Sequence, residues 1–194
     1  MNSAAILAGG QATRFGGVDK GALIVEGRTI LERQVTELSA LTTDLIIVGG
    51  LGAPPIGRSI ADVVPGCGPL GGLHAALTAA RGNAVFVVAC DMPYITSAFA
   101  GYLLDLARHA DIVVPQTEDG YHPLCAVYTR RCLEAVARRL ADRRLKMADL
   151  MLDVPTRVVP VEELDRFGDR HRLLANVNTP AEHAGLEAIQ GHKL

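Results

Sequence analysis

"AVFVVACD", Ala84 to Asp91, is the stretch whose reading decides the fold. Its first six residues are all apolar, with no polar residue at every second place, so both faces of the strand they predict are covered. Such a strand belongs in the centre of a sheet and in parallel pairing, with helices above and below. It then stops on Asp91. A carboxylate ending so apolar a run must reach a crevice or a partner.

Working outward, strand-like and helix-like segments alternate. "AAILA" at Ala4–Ala8 predicts a first strand, and "DLIIVGG" from Asp44 another that stops at glycines. Between them "TILERQVTELSAL", Thr29–Leu41, carries Ile30, Leu31, Val35, Leu38 and Leu41 at helical spacing. Thr29 and Glu32 stand in capping-box spacing at its start. "LHAALTAARG" predicts a short helix ended by Gly82, "SAFAGYLLDLARHA" a further helix, and "DIVVP" a strand closed by Pro115. Beyond it lie a turn and strand in "EDGYHPLCAVYT", a basic helix from about Arg130 and a strand near "TRVVPV". Thr179, Pro180 and Glu182 form a second helix start. This alternation predicts an α/β fold: a Rossmann-like, mostly parallel central sheet with helices on both faces, in a single domain. Ligands of such sheets bind outside the carboxyl ends of the strands. The loop Gly9–Lys20, the segment Asp62–Gly72 and Asp91 all follow candidate strands, so they are expected to line one crevice.

Two glycine-rich loops compete for a phosphate. "LAGGQATRFGGVDK", Leu7–Lys20, is neither a Walker A nor a GxGxxG motif. It still offers glycines for close backbone approach, Arg14 to fork two phosphate oxygens and Lys20 as a point charge. "GCGPLG", Gly66–Gly71, matches G-x-G-x-x-G, the pattern of a dinucleotide-binding loop. A short approach, "SIADVVPG", with Asp62 inside it and Pro65 directly before the loop, argues against that reading. Asp91 admits two readings. It either caps the helix beyond "MPYI" or binds Mg²⁺, which takes one or two carboxylates together with substrate phosphates.

The bulk composition narrows the classes. The chain has 194 residues, enough to bury about 70% of its unfolded surface. A net charge of −2 and an aromatic content of 4% with no Trp argue against nucleic acid and membrane as partners. Seven basic residues between Arg130 and Lys146 face only Glu134 and Asp142, a local net of +5. That segment is either a solvated helix face or a wall for an anionic substrate. Cys67, Cys90, Cys125 and Cys132 form no CxxC pair and read as small apolar residues in a reducing compartment. There is no signal-peptide pattern and no apolar run of membrane-spanning length, so a cytoplasmic protein is expected.

"LAGGQATRFGGVDK", "DVVPGCGPLGGL", "VVACDMPYI", "YHPLCAVY" and "NVNTP" follow one another in this order. Together they closely resemble the molybdenum cofactor guanylyltransferases, the MobA family of the nucleotidyltransferase superfamily, over nearly the whole chain. The resemblance implies the nucleotide-diphospho-sugar-transferase type of fold over residues 1–194, with 1–115 as the nucleotide-binding half and 116–194 as the second-substrate half. Residue by residue it implies that Leu7, Ala8, Gly9 and Gly10 line the nucleotide, that Lys20 contacts the triphosphate and that Arg14 helps. It places Asp62 near the guanosine and Mg²⁺ on Asp91. It sets Asn176 and Asn178 on the second-substrate side. His122, before Pro123, is either structural or part of that same side. Two departures stand out: Phe15 where Met is frequent, and "IIVGG" where a base-contacting Asn is frequent, the matching residue being Val48 or Gly49.

The reaction so implied joins the terminal phosphate of molybdopterin to the α-phosphorus of GTP and expels pyrophosphate. A phosphate monoester with a second pKa near about 6 is already an anionic nucleophile at neutral pH, so no general base is demanded. Positioning and charge neutralisation carry such a transfer. A cytidylyltransferase and a non-catalytic nucleotide-binding accessory domain are the competing readings, and transient contact with cofactor-delivery or acceptor proteins is expected.

Overall fold

The computed structural model describes residues 1–8, 20–49, 56–61 and 66–177, and of residue 20 the backbone. The second helix start at Thr179–Glu182 lies outside them.

The strands are β1 Asn2–Leu7, β2 Ile24–Val25, β3 Arg28–Thr29, β4 Leu45–Val48, β5 Arg58–Ile60, β6 Ala84–Ala89, β7 Ile112–Thr117, β8 Gly120–Tyr121, β9 Cys125–Thr129 and β10 Thr156–Val159. Helices α1 Ile30–Ser39, α2 Gly68–Ala79, α3 Ser97–Leu106 and α4 Leu133–Ala141 connect them, followed by the one-turn helices α5 Val161–Leu164 and α6 Arg170–Leu173. The main sheet runs β10-β7-β9-β6-β1-β4-β5, with β8 paired to β7, while β2 and β3 form a separate ribbon.

β6 is central, as its apolar faces predict, but only one of its neighbours is parallel. It pairs parallel with β1 and antiparallel with β9. The reason is chain length. Only seven residues separate β7 from β9, and a parallel crossover needs a dozen or more. The chain therefore turns back and inserts β9 between β6 and β7.

Side chains alternate across the sheet. Ala4, Ile6, Phe86 and Val88 face one side and pack under α1 and α3 through Val35, Leu38, Phe99 and Leu103. Ala5, Leu7, Val85 and Val87 face the other and pack under α2 and α4 through Leu70, Leu73, Leu77 and Val136. Covering both faces removes apolar surface from water at roughly 25 cal/mol per Å², the dominant favourable contribution to folding.

Local chemistry sets the helix ends. At α1 the Thr29 side chain accepts the Glu32 N–H and the Glu32 carboxylate accepts the Thr29 N–H, the reciprocal box expected from the spacing. α2 begins earlier than expected, at Gly68, so the second half of the glycine motif is helix rather than loop. Pro69 stands in its first turn, where the missing N–H costs no bond. Gly82 does not end that helix, which closes at Ala79. A β-carbon there would lie 2.7 Å from Met1 O, so Gly82 lets the start of β1 pass close by.

Candidate functional site

The carboxyl ends of β1, β4, β5 and β6 share one edge of the sheet, and backbone hydrogen bonds stitch the residues just past them together. Gly49 N–H donates to Ile60 O at 2.9 Å, Ala8 N–H to Val48 O at 2.9 Å and Cys90 N–H to Leu7 O at 3.2 Å. Because β9 runs the other way, its beginning joins the same edge: Ala89 N–H donates to Leu124 O at 2.9 Å. The chain returns to this edge after α6, where Val177 N–H donates to Asp91 O at 2.7 Å. Segments far apart in sequence thus meet along one crevice.

Within that crevice Leu7 contributes backbone only, since its side chain is buried under α2 and its carbonyl is taken by Cys90. Ala8 lies half-buried at the lip. Of the two residues that could stand at the end of β4, Val48 is buried in the core, which leaves Gly49 at the rim. Its φ of 75° lies in the left-handed region, which glycine adopts without a steric cost. Asp91 is half-buried in the turn after β6. It does not cap α3: Thr96 is the cap residue, accepting the Phe99 N–H, and Glu37 accepts the Ser97 N–H at 2.7 Å. Asn176 is exposed next to the Val177–Asp91 bond.

His122 sits on the same edge between β8 and β9. Its Nε2 is 2.9 Å from Thr117 Oγ1 and its N–H donates to Pro115 O at 2.9 Å. Burial pushes its pKa below the ordinary value, against the pull of the Asp119 carboxylate. Lys20 opens a short 3₁₀ turn through Ala22. Its side chain, with Gly9, Gly10, Arg14, Phe15, Asp62 and Asn178, lies outside the described residues.

The basic segment resolves into separate parts rather than one face. α4 follows an antiparallel strand, so it starts at the far edge of the sheet and ends at the crevice edge. Arg130 and Arg131 are therefore at the far edge, with Arg130 N–H on Asn83 O and Arg131 paired with Asp111. Arg139 is buried and paired with Asp153, bracing α4 internally. Only beyond α4 does a cation come near the glycine motif, where Arg143 Nη1 lies 3.8 Å from Cys67 Sγ. Arg130, Arg131 and Arg139 thus stand apart from Arg138, Arg143, Arg144 and Lys146, which are exposed on and just beyond α4. All four cysteines are buried, and burial pushes the Cys132 pKa up to about 12.

Several residues at the site carry no motif. The amide of Gln34, buried on α1, donates to Ala89 O at 2.7 Å and Met92 O at 2.9 Å. Arg33 Nε donates to Pro93 O at 3.1 Å. Tyr94 lies with Arg172 4.1 Å and Arg33 5.6 Å from its ring centre, lining a cavity of about 590 Å³ behind the Asp91 turn. Those two arginines are paired with Glu26. One signal was visible beforehand: Gln34 interrupts the apolar face of α1.

A mostly parallel sheet whose carboxyl edge gathers Gly49, Asp91 and Asn176 has its crevice where open α/β sheets bind ligands. Residues 4–153 match the family model described as the MobA-like NTP transferase domain. The chain belongs to that family. It is 32% identical over 187 residues, 94% of this chain and 93% of the relative, to the molybdenum cofactor guanylyltransferase of Desulfosudis oleivorans. Among solved structures, molybdopterin-guanine dinucleotide biosynthesis protein A from Archaeoglobus fulgidus superposes with a TM-score of 0.78 at 23% identity, covering 98% of this chain and 99% of that one. The 2-C-methyl-D-erythritol 4-phosphate cytidylyltransferase of Thermus thermophilus superposes at 0.70 with 16% identity, over 98% of this chain and 100% of that one. These two likenesses establish the shared nucleotide-diphospho-sugar-transferase fold.

Proposed function

We propose that this protein transfers GMP from GTP to the terminal phosphate of molybdopterin, forming the guanine dinucleotide cofactor and releasing pyrophosphate. The observation that carries the reading is the Val177 N–H to Asp91 O bond, which fastens the second-substrate segment at Asn176 to the carboxylate end of β6. The name of the relative that matches nearly end to end, a molybdenum cofactor guanylyltransferase, supports GTP as the donor.

In this reading a molybdopterin phosphate oxygen attacks the α-phosphorus, the bond to the bridging oxygen of the β-phosphate breaks, and pyrophosphate leaves with that oxygen. Ala8, Gly9, Gly10 and Gly49 present backbone to the nucleotide, Asp62 lies toward the guanosine, and Arg14 and Lys20 offset the charge of the triphosphate. Asn176, Asn178 and His122 orient the incoming phosphate. His122, held neutral by burial, serves as a hydrogen-bonding group rather than as a cation.

The donor set suits Mg²⁺. Asp91 is not the cap residue of α3, which is Thr96, and among the described residues no group of three or more His, Cys, Asp or Glu could hold a metal ion by itself. A single carboxylate with substrate phosphates is the usual Mg²⁺ arrangement. Mg²⁺ held there supplies neutralising charge to the phosphates. Among the described residues no helix is long and apolar enough to cross a membrane.

The test is a panel of GTP, CTP and ATP, each with and without molybdopterin in Mg²⁺ buffer, scored for pyrophosphate. Release with GTP only when molybdopterin is present is expected. Equal rates with CTP would reassign the protein to the cytidylyltransferases. GTP binding with no product under any condition would make it a nucleotide-binding accessory domain.

A further inference from the structure

Helix α1 grips the segment that carries Asp91 through three of its residues. Arg33 holds Pro93 O, Gln34 holds Ala89 O and Met92 O, and Glu37 holds the Ser97 N–H. Gln34 is the unusual member. It is 1% exposed on a face otherwise made of Ile30, Val35 and Leu38. Its Oε1 is buried and has no hydrogen-bond partner among the described residues, a cost that a Met or Leu at this position would not carry. In return, Nε2 reaches the two carbonyls that bracket Cys90 and Asp91. Without it, Ala89 O would keep only the longer 3.3 Å bond from Met92 N–H, and the carbonyl of buried Met92 would lose its donor.

We propose that Gln34 is a positioning residue for Asp91: its buried amide fixes the Ala89–Met92 turn so that the carboxylate meets a divalent cation in one orientation. This rests on the reading of Asp91 as the ligand of that cation. Groups that orient metal ligands from behind are where such sites acquire their affinity, and losing one costs about 10-fold to 100-fold.

The test uses the full chain with a GTP analogue whose α,β-bridge is a methylene, and reads free Mn²⁺ by its electron paramagnetic resonance signal. Gln34→Met keeps the volume and removes the donors. Gln34→Glu keeps the shape and sets a carboxylate against two carbonyls, so a folding failure in one leaves the other. Each should raise the Mn²⁺ dissociation constant about 10-fold or more, with metal-free binding of the analogue unchanged. Asp91→Asn should weaken Mn²⁺ at least as much, and adding Gln34→Met to it should change nothing further.

A Gln34→Met protein with Mn²⁺ affinity within twofold of wild type, beside an Asp91→Asn protein that loses it, overturns the positioning role alone. An Asp91→Asn protein that binds Mn²⁺ normally overturns the metal reading and this inference together. A Gln34→Met effect that persists in the Asp91→Asn background also overturns it, because Gln34 would then act on the fold rather than through Asp91.

Discussion

Replacing Asp44 with Asn probes the edge of the sheet opposite the crevice. The Asp44 side chain is 1% exposed. Its Oδ2 accepts from Ser3 Oγ at 2.5 Å and from Arg81 N–H at 2.8 Å, while Oδ1 accepts from Arg58 Nε at 3.2 Å and Nη2 at 2.9 Å. This one carboxylate joins β1, β5 and the connection after α2. An Asn keeps one acceptor and places an NH₂ against donors whichever way it turns. If its oxygen faces Arg58, the NH₂ meets the Arg81 N–H. Ser3 cannot rescue it freely, because its hydroxyl already accepts the Gly82 N–H. Two charge-assisted bonds are lost, each contributing about 1.5–3 kcal/mol. If the NH₂ turns to Arg58 instead, that guanidinium, one-third exposed and also donating to Ala79 O, recovers part through water. The expected loss is about 3–4 kcal/mol, a large share of the ~5–15 kcal/mol of a typical domain.

Urea unfolding followed by far-ultraviolet circular dichroism should show the midpoint falling by roughly 1.5 M at pH 7. The pH dependence sharpens the test. Burial works to raise the Asp44 pKa, but the Ser3 hydroxyl, the Arg81 N–H and the Arg58 guanidinium outweigh it, and the native value lies below the ordinary one. A depressed native pKa adds stability above the unfolded value of about 3.9 and loses it as pH falls through the native value. Wild type and variant should therefore converge below about pH 4. A loss of less than about 1 kcal/mol at pH 7, where a lone neutral hydrogen bond would already account for it, or a difference indifferent to pH, refutes the reasoning.

Lys20→Ala and Asp91→Ala should each cut turnover by about 10²-fold or more while the urea midpoint stays near wild type; a normal rate in either removes that residue from the phosphate and metal assignment. His122 has its native pKa lowered by burial, so the unfolded chain takes its proton first and stability falls as pH drops below about 6.5. His122→Gln should flatten that acid slope in urea titrations, and an unchanged slope would show that His122 does not titrate on unfolding. Gly82→Ala would drive a β-carbon to 2.6 Å from Asn2 C and should cost about 1–3 kcal/mol; a variant as stable as wild type would contradict the close passage of β1.

Much of the fold could be read without coordinates because backbone chemistry leaves local marks. A strand apolar on both faces announces a central position, a Thr-x-x-Glu pair announces α1, and a carboxylate closing an apolar run announces a crevice. Gln34 could not be read in the same way. A single polar residue at a helical core position says only that something must satisfy it, and the carbonyls that do so lie more than 50 residues away. The placement of the basic segment could not be read for a related reason. Charge counted along the chain does not say which edge of the sheet a helix starts from, and that depends on the direction of β9.

By itself the sequence determined the α/β class, the order of its elements and the chemistry available at their ends, because periodicity, caps and glycine breaks act over a few residues. Only the tertiary structure decided that β9 enters antiparallel beside β6, that His122 and Asn176 reach the same edge as Asp91, and that Arg139 is a buried brace. Each of these is a pairing between distant segments, selected by which arrangement covers both faces of the sheet and leaves its backbone groups bonded.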